Sequence, residues 1–259
     1  MRIATESYEA PRARWPVSGR HILAHYDETG ARSPIPSSQR GWACHTTPEI
    51  PVSGTWRQAV ADESFLRHPP RMEWELGLSA WIIQDGNYGD FARGDRVEAA
   101  VEFWFDDRLE LAEPSAPSAH HVDGSTYEVV GRVVLVEADV WVIDIGICVF
   151  SEHKPPPGLA VGDVVAGRAY VGVDPFFYFE RLSKRSSMPP LIYTWQVLAI
   201  ARQTAPFVSD GPRLLVRDSS KLGWEAVEQT EAWSDDGGRA DYVLRCELVP
   251  ESPRRTREA

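Results

Sequence analysis

The sequence predicts a mainly β fold: two related, small antiparallel barrel units, a loop-rich N-terminal segment and a C-terminal β hairpin. Three observations predict it. Apolar and polar residues alternate with period 2 in run after run beyond residue 71, the mark of strands with one buried face. These runs are cut at short intervals by clusters of Gly, Pro and Asp, which supply the backbone conformations that turns need. And one seven-residue pattern, Phe91-Ala92-Arg93-Gly94-Asp95-Arg96-Val97, returns as Leu159-Ala160-Val161-Gly162-Asp163-Val164-Val165.

Residues 1–70 are the loop-rich segment. They hold a strand candidate at 21–26, an extended "SPIPSS" at 33–38 and a short helix candidate at 55–66. Residues 71–113 form the first β unit. In it Trp74, Leu76, Leu78 and Ala80 alternate with Glu75, Gly77, Ser79 and Trp81. "QDGNYGD" over 84–90 reads as a loop, and 96–105 as a strand. "AEPSAPSA" at 112–119 has linker composition.

Residues 120–205 form the second, longer β unit. Two β-branched runs, 127–136 and 140–150, flank Glu137-Ala138-Asp139 as a hairpin loop. The second run is apolar on both faces and reads as one doubly covered strand. Pro155–Pro157 end it. Strands are expected at 164–173 and 191–201. In the last segment, 206–259, the run 224–233 is expected to pair with 242–249 across the "SDDGG" turn. Arg254, Arg255 and Arg257 read as a frayed, solvated tail.

The two copies of the repeat are offset by 68 positions, and the offset also pairs Val101 with Ala169, Phe105 with Val173 and Asp106 with Asp174. Upstream, Trp74-Glu75-Leu76-Gly77 is matched to Glu128-Val129-Val130-Gly131, offset by 54. Gly is free in φ and Asp hydrogen-bonds nearby backbone, so Gly-Asp makes a tight turn into a strand. The pattern resembles the middle of OB-type barrels, where a strand interrupted by Gly precedes a Gly-Asp turn. The resemblance is to a fold, and it implies an OB-like barrel in each unit.

A net charge of −11 is unevenly spread: residues 71–182 hold 8 basic and 20 acidic residues, while 183–259 hold 11 of each. Such a field repels phosphate backbones and tolerates basic or neutral partners. The strand that would carry nucleic acid in an OB-like barrel bears Glu98, Glu102, Trp104 and Asp106, whereas that use calls for Lys and Arg. Ten Trp residues are expected mostly as core pillars. The three cysteines, Cys44, Cys148 and Cys246, are odd in number and far apart, which fits neither a disulfide framework nor a zinc site. With no apolar leader and no run of ~18 apolar residues, the expected compartment is the cytoplasm.

No phosphate-binding glycine loop, nucleophile elbow, zinc helix or paired-cysteine motif occurs. His21 and His25 lack further ligands in metal spacing, and the 85–96 loop fails the calcium pattern. Asp106-Asp107, with Glu102 and Glu110 nearby, read as a solvated acidic rim. No metal, cofactor or catalytic residue is therefore assigned. The binding candidates are Tyr88, Trp104, Phe176 and Tyr178 as aromatics, and Arg181, Lys184 and Arg185 as the only dense basic run in the acidic middle. The expected function is a non-enzymatic, protein-binding module, an adaptor or inhibitor with a basic partner. A single-stranded nucleic-acid-binding barrel comes second, and an enzyme with a site assembled from scattered residues third.

Overall fold

The computed structural model describes residues 72–105, 110–209 and 215–257. The expectations for residues 1–70, Cys44 and the two early histidines included, and for Asp106-Asp107 lie outside them.

The chain enters along β1 (Glu73–Ser79) and passes through a single helical turn, α1 (Ala80–Gln84), to β2 (Arg96–Ala99) and β3 (Val101–Phe105). The short β4 (Glu110–Leu111) and the edge strand β5 (Ser118–Asp123) lead to the long β6 (Thr126–Val136). β7 (Trp141–Asp144), β8 (Cys148–Ser151) and β9 (Val164–Val173) follow. Past α2 (Phe177–Glu180), the chain forms β10 (Tyr193–Gln203), the hairpin β11 (Phe207–Ser209) and β12 (Leu215–Arg217), then β13 (Trp224–Val227) and β14 (Asp241–Leu248). The fold is mainly β and contains a closed five-strand barrel with further strands attached.

Closure can be traced strand by strand. β6 pairs antiparallel with β7, β7 with β8, β3 with β9, and β9 with β6, while β3 and β8 run parallel through Glu102↔Phe150. A second circuit of pairings shares two of these strands. β9 touches β1 in parallel at Gly172↔Gly77, β1 pairs with β14, β14 with β10, and β10 with β2. Ala100 then joins β2 directly to β3. The run expected as one strand over 96–105 changes partner at this point, and the Ala100 carbonyl accepts from the Asp174 N–H at 3.0 Å.

Alternation decides which side of each strand is buried. Trp74, Leu76 and Leu78 of β1, Val101 and Phe103 of β3, Val171 and Val173 of β9, Trp195 and Val197 of β10, and Tyr242, Leu244 and Cys246 of β14 all enter one continuous core. Val140, Val142 and Phe150 pack on a second, smaller cluster with Tyr178, Leu182, Met188, Leu191 and Ile192.

Both Gly-Asp turns are built alike. At the first, Gly94 has φ +94, its N–H donates to the Val197 carbonyl at 2.9 Å, and the Val197 N–H returns to Asp95 at 2.8 Å. At the second, Gly162 has φ +96, its N–H donates to Val133 at 2.9 Å, and the Val133 N–H returns to Asp163 at 2.8 Å. Each Asp carboxylate accepts the N–H three residues before it, Ala92 at 2.7 Å and Ala160 at 2.8 Å. The receiving strands, β10 and β6, both shift register at that residue.

Four expectations need correction. The run 140–150 is a tight hairpin and not one strand: Gly146 takes φ +107 and its N–H donates to the Asp144 carboxylate at 2.9 Å. Its two-sided apolar character comes from β7 and β8 each facing both clusters. The run 224–233 does not pair with 242–249. β14 has both edges occupied, by β1 and β10, so β13 takes the far edge of β10. The hairpin present in the last segment is β11–β12. Gly77 and Gly131 occupy unlike places: both lie beside β9, but Gly77 meets Gly172 in parallel and Gly131 meets Val165 antiparallel. The arginine tail is docked and not frayed, as described below.

The parallel crossing of β1 and β9 depends on absent side chains. A Cβ added to Gly77 would lie 2.0 Å from the Tyr170 hydroxyl and 2.6 Å from its ring. Gly77→Ala is therefore expected to cost about 2–3 kcal/mol in urea unfolding, whereas Gly89→Ala, where nothing lies within 4 Å, should be near neutral. Equal midpoints for the two variants would show that the crossing is looser than described.

Candidate functional site

The sequence candidates divide into three groups. Tyr88, Phe176 and Tyr178 converge around one residue, Asp174, at the end of β9, with Arg181 at the end of α2 and paired with Glu152. The Tyr88 hydroxyl donates to the Asp174 carbonyl at 2.8 Å. The Asp174 carboxylate accepts the N–H groups of Phe176, Phe177 and Tyr178 at 3.3, 3.0 and 3.0 Å, so it caps α2. Tyr178 is buried, donates to the Pro189 carbonyl at 2.6 Å and accepts from the Leu191 N–H at 3.1 Å. Phe176 is half-buried against Phe177. Three of the four consecutive aromatics thus lie in a short helix with Phe176 at its N-cap, and Tyr178 packs it against Phe150 and the outer side of the β7–β8 hairpin.

Lys184 and Arg185 follow on this cap. Lys184 is exposed, while Arg185 reaches the β6–β7 hairpin loop, pairing with Glu137 at 2.7 Å and with both oxygens of Asp139 at 2.8 and 2.7 Å. Its hydrogen bonds hold the Asp139 carboxyl below its ordinary range, and the Ser187 hydroxyl, then Arg185, do the same for Glu137. Trp104 stands apart, half-buried, its ring 5.7 Å from that of Tyr170.

Beneath the cap lies a buried acid cluster. Glu102 and Asp174 are 4% and 0% exposed, so Glu102 is not on the solvated rim expected of it. Glu102 is on the same outer face as Trp104 and Tyr170 because the strand period places it there. Burial, then the charges of Asp174 and Glu152, push its carboxyl well above the usual range. Burial raises Asp174 to about 7 despite its three N–H donors, and Glu152 adds to the rise. Arg181 pairs with Glu152 from the solvent side.

The C-terminal arginines clamp the cap. Arg254 pairs with Glu98 and its main chain bonds to Ile192 in both directions. Arg255 donates to the carbonyls of Ser183, Arg185 and Ser186. The Arg257 guanidinium sits between the rings of Tyr88 and Phe179, 4.2 and 4.3 Å from their centres, and donates to the Asn87 carbonyl at 3.0 Å. Cation–π contact and carbonyl acceptors make this end a strap.

No grouping of three His, Cys, Asp or Glu suited to a metal ion occurs among the described residues. In the 85–96 loop, Asp90 accepts from Thr230 and the Ala232 N–H, and Asp95 from Ala92. Those carboxylates are turn anchors.

A different surface escaped the sequence reading. From Leu222 to Asp236 the chain carries Glu225, Glu228, Glu231, Asp235 and Asp236 and no basic residue. In the same stretch Leu222, Trp224 and Trp233 are 49%, 39% and 71% exposed. Arg202 spans Glu225 and Asp235, pairing with each, so β13 and the 231–238 turn form one continuous strip. The signal was present as two Trp residues flanking an acidic run, but the expected hairpin with 242–249 would have covered them.

Among the described residues no helix is long and apolar enough to cross a membrane. Comparison of the chain with protein-family models, with curated proteins and with solved structures finds no match.

The Asp174 carboxyl binds its proton more tightly in the folded than in the unfolded chain. The folded state holds its proton up to about pH 7, whereas the unfolded chain releases it near pH 4. The resulting stability is complete below pH ~4 and is lost as pH rises through about 7, by at most ~4 kcal/mol. Urea unfolding should thus show stability falling from pH 5 to pH 8, with a shallower fall in Asp174→Asn. Identical slopes for the two proteins would remove Asp174 as the cause.

Proposed function

We propose that this chain is a non-enzymatic protein-binding module of the cytoplasm whose partner is basic, bound through the acidic, tryptophan-bearing strip of residues 222–236. The observation that carries it is the exposure of Trp224 and Trp233 within a run of acids without a base. Exposed Trp beside charge is enriched where proteins bind one another. Arg202 pairs with Glu225 and Asp235, Arg93 with Glu228 and Arg217 with Asp236, so the strip keeps an excess of acid over base, and that excess favours a cationic partner and steers its approach.

The basic residues that an anionic ligand would need are largely engaged within the chain. Arg181, Arg185, Arg254 and Arg202 pair with carboxylates, Arg255 lies on carbonyls, and Arg257 lies between two rings. This supports a protein partner over a nucleic acid. Cys148 and Cys246 are free thiols, and burial raises both, to about 11 and about 12. They serve as small packing residues, which suits a reducing compartment.

Each of the two pairing circuits is OB-like in this reading: five strands, four antiparallel contacts and one parallel contact. The 68-residue repeat supports treating them as two copies of one unit. It relates Phe103 to Val171, and those two residues are register partners at the middle of the β3–β9 ladder. A two-fold relation between the copies would pass through that pair. The alike Gly-Asp turns add to it. The barrel type says little about the ligand, because one fold hosts many functions.

The test is direct binding by fluorescence anisotropy at 50 and 300 mM salt. The probes are a labelled peptide of alternating lysine and valine, its glutamate–valine counterpart, and labelled oligothymidylate. The expected result is binding of the lysine peptide alone, weakened at the higher salt. Binding of oligothymidylate in place of the lysine peptide would overturn the assignment in favour of the nucleic-acid reading.

A further inference from the structure

The mode of binding can be argued from the register of β13, resting on the protein-binding reading above. We propose that the outer edge of β13, at Trp224 and Ala226, takes up an extended Lys- or Arg-bearing segment of a partner protein as an added strand.

Backbone direction comes first. β13 pairs with β10 through Gln203↔Trp224, Arg202↔Glu225, Ala201↔Ala226 and Ile200↔Val227. One step before, the Thr204 N–H donates to the Gly223 carbonyl at 2.9 Å. In an antiparallel ladder, hydrogen-bonded and non-bonded pairs alternate. Gly223, Glu225 and Val227 therefore turn their main-chain groups to β10, and Trp224 and Ala226 turn theirs outward. No described residue pairs with that outer side of 224–226. It offers two N–H and two C=O groups, the template that strand addition uses.

The same edge already accepts a strand two residues further on. Glu228 and Thr230 share the outward parity of Trp224 and Ala226. There the Arg93 N–H donates to the Glu228 carbonyl at 2.8 Å, the Thr230 N–H donates to the Phe91 carbonyl at 2.9 Å, and Ala92 bridges Gln229. The Arg93 guanidinium lies 3.6 Å from the Glu228 carboxylate, with both side chains well exposed. The chain's own Phe91-Ala92-Arg93 thus docks by main-chain bonds with an arginine set against a glutamate. A guest segment at 224–226 would repeat that arrangement on the uncovered part of the edge.

Side chains specify the guest. Trp224 is 39% exposed, and the exposed part of its indole can take a Lys or Arg stem. Glu225, paired with Arg202, and Glu228, 3.6 Å from Arg93, lie on either side of Ala226, and Glu231 follows without an ion pair among the described residues, so a guest cation joins an edge that keeps an acid excess. A second copy of this chain is disfavoured, because each edge carries the same acid excess. An acidic or phosphate-bearing ligand meets the same field.

The experiment uses the unmodified protein and two peptides: the labelled lysine–valine peptide, and the same sequence N-methylated at alternate residues. The second keeps charge and side chains but loses the donors on one edge. N-methylation is expected to weaken binding roughly tenfold or more. Ala226→Pro should do the same, since that N–H is not used by β10, and Glu228→Lys should weaken binding and reduce its salt dependence. If N-methylation and Ala226→Pro both leave affinity unchanged, strand addition is overturned while the protein-binding reading stands. If the lysine peptide fails to bind and oligothymidylate binds, both fall. Should Ala226→Pro not fold, the N-methylated peptide decides alone.

Discussion

The antiparallel ladder of β3 and β9 is the constraint on which the rest of the molecule depends. Five register pairs run from Val101↔Val173 to Phe105↔Ala169. The free edge of β3 carries β8, and that of β9 carries first β6 and then β1. Both strands are thereby members of both circuits, and neither circuit closes without them. A slip of one residue would exchange the faces, sending Phe103 and Val171 outward and Glu102 and Tyr170 into the core. Gly172 belongs to the same constraint, since a Cβ there would meet the Gly77 carbonyl at 3.0 Å.

The outer face of this ladder explains the cap and the strap. A strand that must place Phe103 inward places Glu102 outward, and here the outward side is covered. Burying a carboxyl without a counter-charge favours its neutral form, which is the direction found for Glu102 and Asp174 alike. Asp174 recovers part of that loss by capping α2. The C-terminal arginines fasten the cap from outside with carbonyl and ring contacts instead of carboxylate pairs, apart from Arg254. The strip proposed to bind a partner lies on other elements, β13 and the turn after it, and the proposal leaves the cap a structural role.

Much of this architecture was legible in the sequence, because strand alternation and Gly-Asp turns are local. β9 falls on the residues its alternation marked, and both turns form as their Gly and Asp dictate. What was not legible is which strand lies beside which. The run 140–150 looked continuous because Gly146 is flanked by isoleucines that are apolar in either conformation. The partner of 224–227 was misassigned because proximity in sequence favoured β14, whose two edges are spoken for by distant strands. Burial of Glu102 was hidden for a similar reason: nothing near it in sequence reveals that Phe150 and Gly172 flank it and that Glu152 and Asp174 lie close to its carboxyl. The surface Trp residues were concealed by the default that rings lie inside.

Shared strands make the two circuits one cooperative unit. Native-state hydrogen exchange measures this most directly. Amides of Val142 and Ile143 in one circuit and of Leu244 and Cys246 in the other should exchange with the same free energy and the same dependence on urea, through a single global opening. Exchange of one set through a separate opening, several kcal/mol below the other, would contradict the dependence of both circuits on the β3–β9 ladder.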